Sequence, residues 1–254
     1  MSQFNGCLLV LALLESSICG QVKLFGSGKL IGPSGTPGSA GGNPTITFIA
    51  HTATAASSTH TSSPSIDTSA GTGNHCFVSV AETWYTPAGV APPITDSFSN
   101  TYTELTPQVN TTGQQSLVLW YSANATCGVG HTFTFTTSAL SYVSIEVQVF
   151  AGPLSSPLDQ QNGTPNGSGT TINTGSVTPF TTGELVIAAS SFDSAMGSIA
   201  INSSLAITDT SDFSGGANYG SSAAYIIQTS IVTVNPRWTF GNSQNSIAVI
   251  ATFK

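Results

Sequence analysis

From Thr45 to the C terminus, apolar and polar residues alternate with a period of two between turn-forming residues, the pattern of half-buried strands. Thr45 to Ala50 opens the series, and His75 to Ala81, Leu117 to Tyr121 and His131 to Thr136 continue it. Val143, Ile145, Val147 and Val149 form one face of the next strand, with Ser144, Glu146 and Gln148 opposite. Later candidates are Glu184 to Ser191, Ser198 to Thr208, Ala223 to Thr229, Pro236 to Phe240 and Ser246 to Phe253. The run Ile247 to Ala251 is apolar on both faces, as a central strand requires. The Ser/Thr/Ala-rich tract Thr52 to Gly73 reads as a loop or an edge. No segment after Thr45 keeps a 3.6-residue apolar repeat, so no helix longer than about two turns is predicted there. Ten or so strands at roughly 10–20-residue intervals imply two packed sheets. The predicted fold is a single all-β domain over 45–254, a jelly-roll-like or Ig-like β-sandwich with an extended N-terminal arm.

The pattern changes before Thr45. Residues 1–20 contain the apolar run Cys7 to Leu14, followed by Ser16-Ser17-Ile18-Cys19-Gly20. The run has the length of an export signal and is too short for a membrane span. No Lys or Arg precedes it, so a retained segment that buries itself in a partner stays open as the other reading. Residues 21–44 hold one short alternating stretch, Gln21 to Phe25, and then the Gly/Pro-rich Gly32 to Gly42, which cannot pack a core. Val22, Leu24, Phe25, Leu30 and Ile31 are nevertheless too apolar for a segment that only stays solvated. An arm that docks on a neighbouring copy resolves that conflict; a disordered tail is the alternative.

Composition narrows the function classes. Charged residues make up 6% of the 254-residue chain, against a usual ~25%. Arg237 is the single cationic side chain between Ile31 and Phe253, and the formal net charge is −7. A phosphate-binding surface needs clustered Lys and Arg, so nucleic acid is excluded as a partner. Unassisted binding to anionic membrane is excluded on the same ground, and the mature form is expected to insert in no membrane. Once Cys7 and Cys19 are assigned to the leader, Cys76 and Cys127 remain as an even pair. One disulfide between them suits an exported protein; two unpaired buried thiols are the other reading.

Three local signatures follow in order: Ile94-Thr95-Asp96-Ser97-Phe98-Ser99-Asn100-Thr101-Tyr102, then Phe150-Ala151-Gly152 leading to Ser156-Pro157-Leu158-Asp159, then Thr182-Gly183-Glu184-Leu185-Val186. In these the chain resembles β-sandwich modules of bacterial surface proteins and phage appendages, which read T-D-S-x-G-N-x-Y, S-P-L-D and G-D-L-L-V. Ser99 stands where that pattern has a turn Gly, and Glu184 where it has Asp. The resemblance implies a fold and no chemistry. In physical terms, Asp96 and Asn100 bond their own backbones to shape a turn, and Ser-Pro-Leu-Asp fixes an extended exit from the preceding strand.

No nucleophile elbow, zinc-binding His-Glu-x-x-His or phosphate loop occurs. Glycoside hydrolysis needs only two placed carboxylates, which leaves Glu82, Glu146 and Glu104 to be weighed against solvent-facing strand positions. Asp209-Thr210-Ser211-Asp212 with Gly215 offers hard oxygen ligands for calcium, though a plain Asp/Ser turn explains it equally. His51, His60, His75 and His131 read as ordinary strand or loop residues. Trp84-Tyr85 and Trp120-Tyr121 form either a sugar-stacking platform or core. Asn110, Asn124, Asn162, Asn166 and Asn202 each head an Asn-x-Ser/Thr sequon, and Asn162 and Asn166 sit in what reads as a polar, Gly-rich loop.

With no catalytic set, metal site or cofactor predicted, the expected function is that of a non-enzymatic extracellular structural subunit on a cell or virion surface. Copies of the chain would join into a filament or appendage by strand exchange through the N-terminal arm. A carbohydrate-binding or adhesin module, with glycans as partners, is the second expectation, and a glycan-active enzyme the third.

Overall fold

The computed structural model describes residues 45–254 apart from Gly89, Ser138 and Leu154, so the leader and the arm residues Val22, Leu24, Phe25, Leu30 and Ile31 lie outside the described residues. Three antiparallel sheets account for the strands. A central sheet runs in the order β1 (Thr47–Ala56), β9 (Val143–Ala151), β3 (Cys76–Tyr85), β7 (Gln115–Ala123) and β5 (Thr103–Glu104), with β6 (Gln108–Asn110) also on β7. A short sheet holds β2 (His60–Ser62), β8 (Phe133–Thr136) and β4 (Ile94–Asp96). A C-terminal sheet runs β10 (Leu158–Asn173), β15 (Arg237–Phe253), β11 (Leu185–Phe192), β14 (Gly220–Ile227) and β13 (Ala206–Ser211), with β12 (Ile199–Ile201) on β15. Among the described residues the only helical turns are two three-residue 3₁₀ segments, Ser69–Gly71 and Thr86–Ala88. The all-β sandwich expected from the alternation is present.

The layering comes from which faces are apolar. Val78, Val80, Trp84, Val143, Ile145, Val147 and Val149 pack against Ile94, Phe133 and Phe135 of the short sheet. The opposite face, with Phe77, Ala81, Leu117, Leu119 and Phe150, packs against Leu185, Ile187, Ala189, Ile247, Val249, Ala251 and Phe253. The central sheet is therefore covered on both sides. The chain steps between the central and short sheets from β1 to β2, β3 to β4 and β7 to β8 before closing in β9, the interleaving of a jelly roll. It then adds the C-terminal sheet as a third layer, where the alternation had implied two.

That third layer buries its own outer face. β15 pairs with β11 over Ser246 to Phe253 and with β12 over Trp238 to Phe240. Trp238, Phe240, Ile172 and Leu205 thereby cover Ala188, Phe192, Ala224 and Ala248. Gly241 lies at the changeover, where a Cβ would stand 2.8 Å from Ser198 Oγ and 2.9 Å from its backbone nitrogen, so only glycine passes. Pro236 to Phe240 and Ser246 to Phe253, expected as two strands, belong to one. Ser198 to Thr208, expected as one, is split between β12 and β13. The segment from Leu158 to Asn173, expected in part as a loop, is an edge strand whose register is irregular between Thr164 and Gly167, where Pro165 interrupts the ladder.

Phe77 is fully buried and contacts Tyr121, Phe150 and Phe253. Phe77→Ala is expected to cost about 3–5 kcal/mol in denaturant unfolding. Phe180→Ala, at a ring 73% exposed, is expected to stay within ~0.5 kcal/mol.

Candidate functional site

The Thr-Asp-Ser turn builds a buried polar hub. Asp96 ends β4, and its Oδ1 accepts the backbone N–H groups of Phe98 and Asn100, both at 3.0 Å. Its Oδ2 accepts Asn100 Nδ2 at 2.8 Å and the Tyr102 hydroxyl at 2.6 Å, and lies 3.2 Å from His131 Nε2 in a contact too bent to count as an aligned hydrogen bond. Ser99, at the position where the resembled pattern has glycine, takes φ 59°. Asn100 carries the hub onward: it donates to the Thr126 carbonyl and accepts the Thr126 N–H, next to Cys127. Cys127 is joined to Cys76 by a disulfide with a Cα–Cα distance of 6.3 Å.

His131, read from the sequence as an ordinary residue, is fully buried in this hub. Its Nδ1 lies 3.1 Å from Thr68 Oγ1, and its ring packs on Phe98 and Phe133. Hydroxyl, imidazole and carboxylate thus stand in the order of a nucleophile relay. Thr68, however, has no exposed surface, and its hydroxyl donates to the Gly128 carbonyl while accepting the Gly128 N–H. The relay holds two loops together and presents no nucleophile to solvent. Burial alone would raise the Asp96 pKa, but the closeness of His131 and donation from Tyr102 and Asn100 outweigh it and hold the carboxyl well below the usual carboxylate range.

The carboxylate pair weighed from sequence is not assembled. Glu82 and Glu146 are both buried, and the β3–β9 register sets Glu82 opposite Ile145 and Glu146 opposite Ala81, which places the two acids on opposite faces of the central sheet. Glu82 accepts Trp120 Nε1 at 2.7 Å in the layer toward the short sheet. Glu146 accepts the Ser221 hydroxyl at 2.8 Å in the layer toward the C-terminal sheet. Glu104 is exposed on β5 beside Trp120. Burial pushes Glu82 well above its ordinary value, with Glu104 adding to the rise. Burial also pushes Glu146 up to about 8 against the opposing bonds from Ser211 and Ser221.

The remaining candidates have structural partners. Asp209 and Ser211 lie in β13 rather than in a loop, Asp209 pairs with His51 Nδ1 at 2.7 Å, and Asp212 caps the backbone of Phe213. No group of three or more His, Cys, Asp or Glu that could hold a metal occurs among the described residues. His60 bonds Thr136, and His75 bonds Asn124. Trp84 belongs to the core, Trp120 is tied to Glu82, and Tyr121 packs on Phe77 and Phe253, so the two Trp-Tyr pairs form no common platform. Of the sequons, Asn124, Asn162, Asn166 and Asn202 are exposed. Asn110, by contrast, is 1% exposed, donates to the Ser246 carbonyl and accepts the N–H groups of Thr112 and Gly113. Asn162 and Asn166 stand on strand β10 and not in a loop.

Two of the surface hollows carry apolar or aromatic linings. A groove of about 520 Å³ opens beside the start of β1, lined by Thr45, Phe48, Ile49, Ala70, Ala151 and the backbone of Gly73 and Gly152. Gly152 (φ 106°) lies so close to Thr45 that a Cβ would stand 2.6 Å from its carbonyl oxygen. A smaller aromatic cleft opens at the ends of β3 and β13. Neither was visible from single segments, because each is made by residues distant in sequence. In comparisons with known proteins, the chain matches no family model, and no curated protein or solved structure matches it at a significant level.

The buried acids fix a pH dependence. Glu82 and Glu146 hold protons in the native state that the unfolded chain releases above its ordinary glutamate value of 4.5, so their contribution falls as pH rises from there through about 8. Asp96 acts oppositely, its contribution being lost as pH falls below 3.8 toward its depressed native value. Chemical denaturation across pH should show maximal stability at about pH 4–5 and a decline toward pH 8, flattened in Glu146→Gln. Stability rising from pH 5 to 8 contradicts the assignment.

Proposed function

We propose that this chain is a non-enzymatic extracellular structural subunit that joins copies of itself into a filament or surface appendage, with the N-terminal arm of one copy adding to the next. The observation that carries the reading is the groove beside β1. It adjoins Thr45, the residue at which the arm enters the sandwich. Phe48, Ile49, Ala70 and Ala151 offer apolar contacts, and the glycine backbones allow a chain to approach closely. Among the described strands β1 pairs only with β9, so its other edge keeps main-chain groups for a ladder. The arm supplies the complement: Val22 and Leu24 alternate with Lys23, and Phe25, Leu30 and Ile31 add further apolar side chains.

An arm in a neighbour's groove is a head-to-tail contact, which propagates without closing and makes a fibre. The sparse charge of the chain limits repulsion between close-packed copies. The Cys76–Cys127 disulfide and the four exposed sequons suit an oxidising, glycosylating exterior.

Deleting residues 21–42 should leave a folded monomer that forms no polymer by sedimentation and electron microscopy. Ala70→Trp, which fills the groove from an exposed position in the full chain, should do the same. Polymers of normal length from either variant overturn the reading.

A further inference from the structure

The aromatic cleft is built from four segments far apart in sequence. Tyr85 ends β3, Tyr142 precedes β9, Phe213 follows β13 and Tyr219 precedes β14. Tyr85 and Tyr219 lie 6.3 Å apart between ring centroids and within 14° of parallel, while Tyr142 stands perpendicular to Tyr85 at 5.8 Å. Phe213 meets Tyr219 at 6.2 Å. All four rings are half-buried, in contrast to the fully covered Phe77, Phe150 and Phe253 of the core. The cleft has a volume of about 280 Å³, near the ~300 Å³ lower end of small-molecule sites.

Its polar groups are also uncommitted. Among the described residues, no hydrogen-bond partner meets the hydroxyls of Tyr85, Tyr142 or Tyr219. Asn218, which lines the cleft, spends its Nδ2 on Ser144 Oγ and on the carbonyls of Asp212 and Tyr219, and this leaves Oδ1 unpaired. Tyr142 adopts φ 51°, a left-handed backbone that bulky residues rarely take and that gathers at binding sites, and the Tyr219 N–H secures its carbonyl at 3.2 Å.

We propose that this cleft binds a neutral saccharide. A sugar ring has apolar C–H faces that pack on aromatic rings and a rim of hydroxyls that both donate and accept, which is what three free phenols and an amide oxygen answer. Anionic ligands are disfavoured, because the described cations Arg237 and Lys254 do not line the cleft, and burial together with Tyr85, Asp193 and Tyr142 already pushes Tyr219 up to about 12. An aromatic cage for a quaternary ammonium would use the rings alone and leave the four polar atoms without a role. A proline-rich peptide would use a longer furrow than this closed cluster offers. The site is independent of the arm and its groove, so it stands or falls separately from polymer formation.

The test is calorimetric titration of the full chain with maltotriose, cellotriose, mannotriose and chitotriose, and with choline and a proline-rich peptide as rivals. At least one of the four sugars should bind. Tyr142→Ala should weaken that binding about tenfold or more, and the conservative Tyr219→Phe should weaken it roughly three- to tenfold with the melting temperature unchanged. Failure of all four sugars to bind, binding unaffected by Tyr219→Phe, or choline or peptide binding that competes at the cleft overturns the proposal.

Discussion

The inner strands β3 and β9 of the central sheet meet water on neither face, and the interior of the molecule follows from that constraint. A sheet with one wet face places its polar side chains there at no cost; a sheet covered twice must find each of them a partner inside. Thr83 donates to the Ser116 carbonyl and meets Ser191, which donates to Gln115; Gln148 donates to Thr208, and Ser144 to the Tyr219 carbonyl. Apart from the Thr83–Ser116 bond, which stays within the central sheet, these bonds cross between the central and C-terminal layers and set their register, as the apolar contacts between Phe77, Phe150 and Phe253 alone would not. Glu82 and Glu146 obey the same rule, each with one hydrogen-bonded oxygen and one that meets no described donor, the state of an acid kept neutral by burial.

The Asp96 hub does at the end of the jelly roll what those seams do in its middle. A single carboxylate gathers donors from its own turn and from Tyr102, lies against His131, and through Asn100 reaches the loop held by the Cys76–Cys127 bridge. The residues that look chemical in a list, two glutamates, an aspartate and a histidine, are in place the means of holding three layers and their loops together.

Much of this was legible in the sequence, for reasons that can be named. Period-two alternation marks a strand with one apolar face, so β9 was plain, and the both-sided apolarity of Ile247 to Ala251 pointed to a strand with no wet face. The Asp96 turn was legible because Asp and Asn shape turns through local bonds. β10 was not, because an edge strand with solvent along one side tolerates the Gly, Asn and Pro165 that read as a loop. The third layer was hidden because a buried Ser or Glu looks, in sequence, like a solvent-facing one. The sandwich face chosen by Glu146 depends on Ser221, 75 residues away. The aromatic cleft was hidden for the same reason of distance, and Tyr85 was paired with Trp84 in sequence although its neighbours in space are Tyr142 and Tyr219.

With so much of its polar chemistry spent internally, the molecule turns outward a surface of hydroxyls and amides, an open β1 edge and a groove beside the root of the arm. The account rests on that groove being filled by another copy. Electron cryo-microscopy of the assembled full-length chain tests this most directly. The account predicts extended density for Val22 to Phe25 seated against Phe48, Ile49 and Ala151 of the adjoining subunit. An assembled particle with that groove empty, or with the arm returned to its own sandwich, would contradict it.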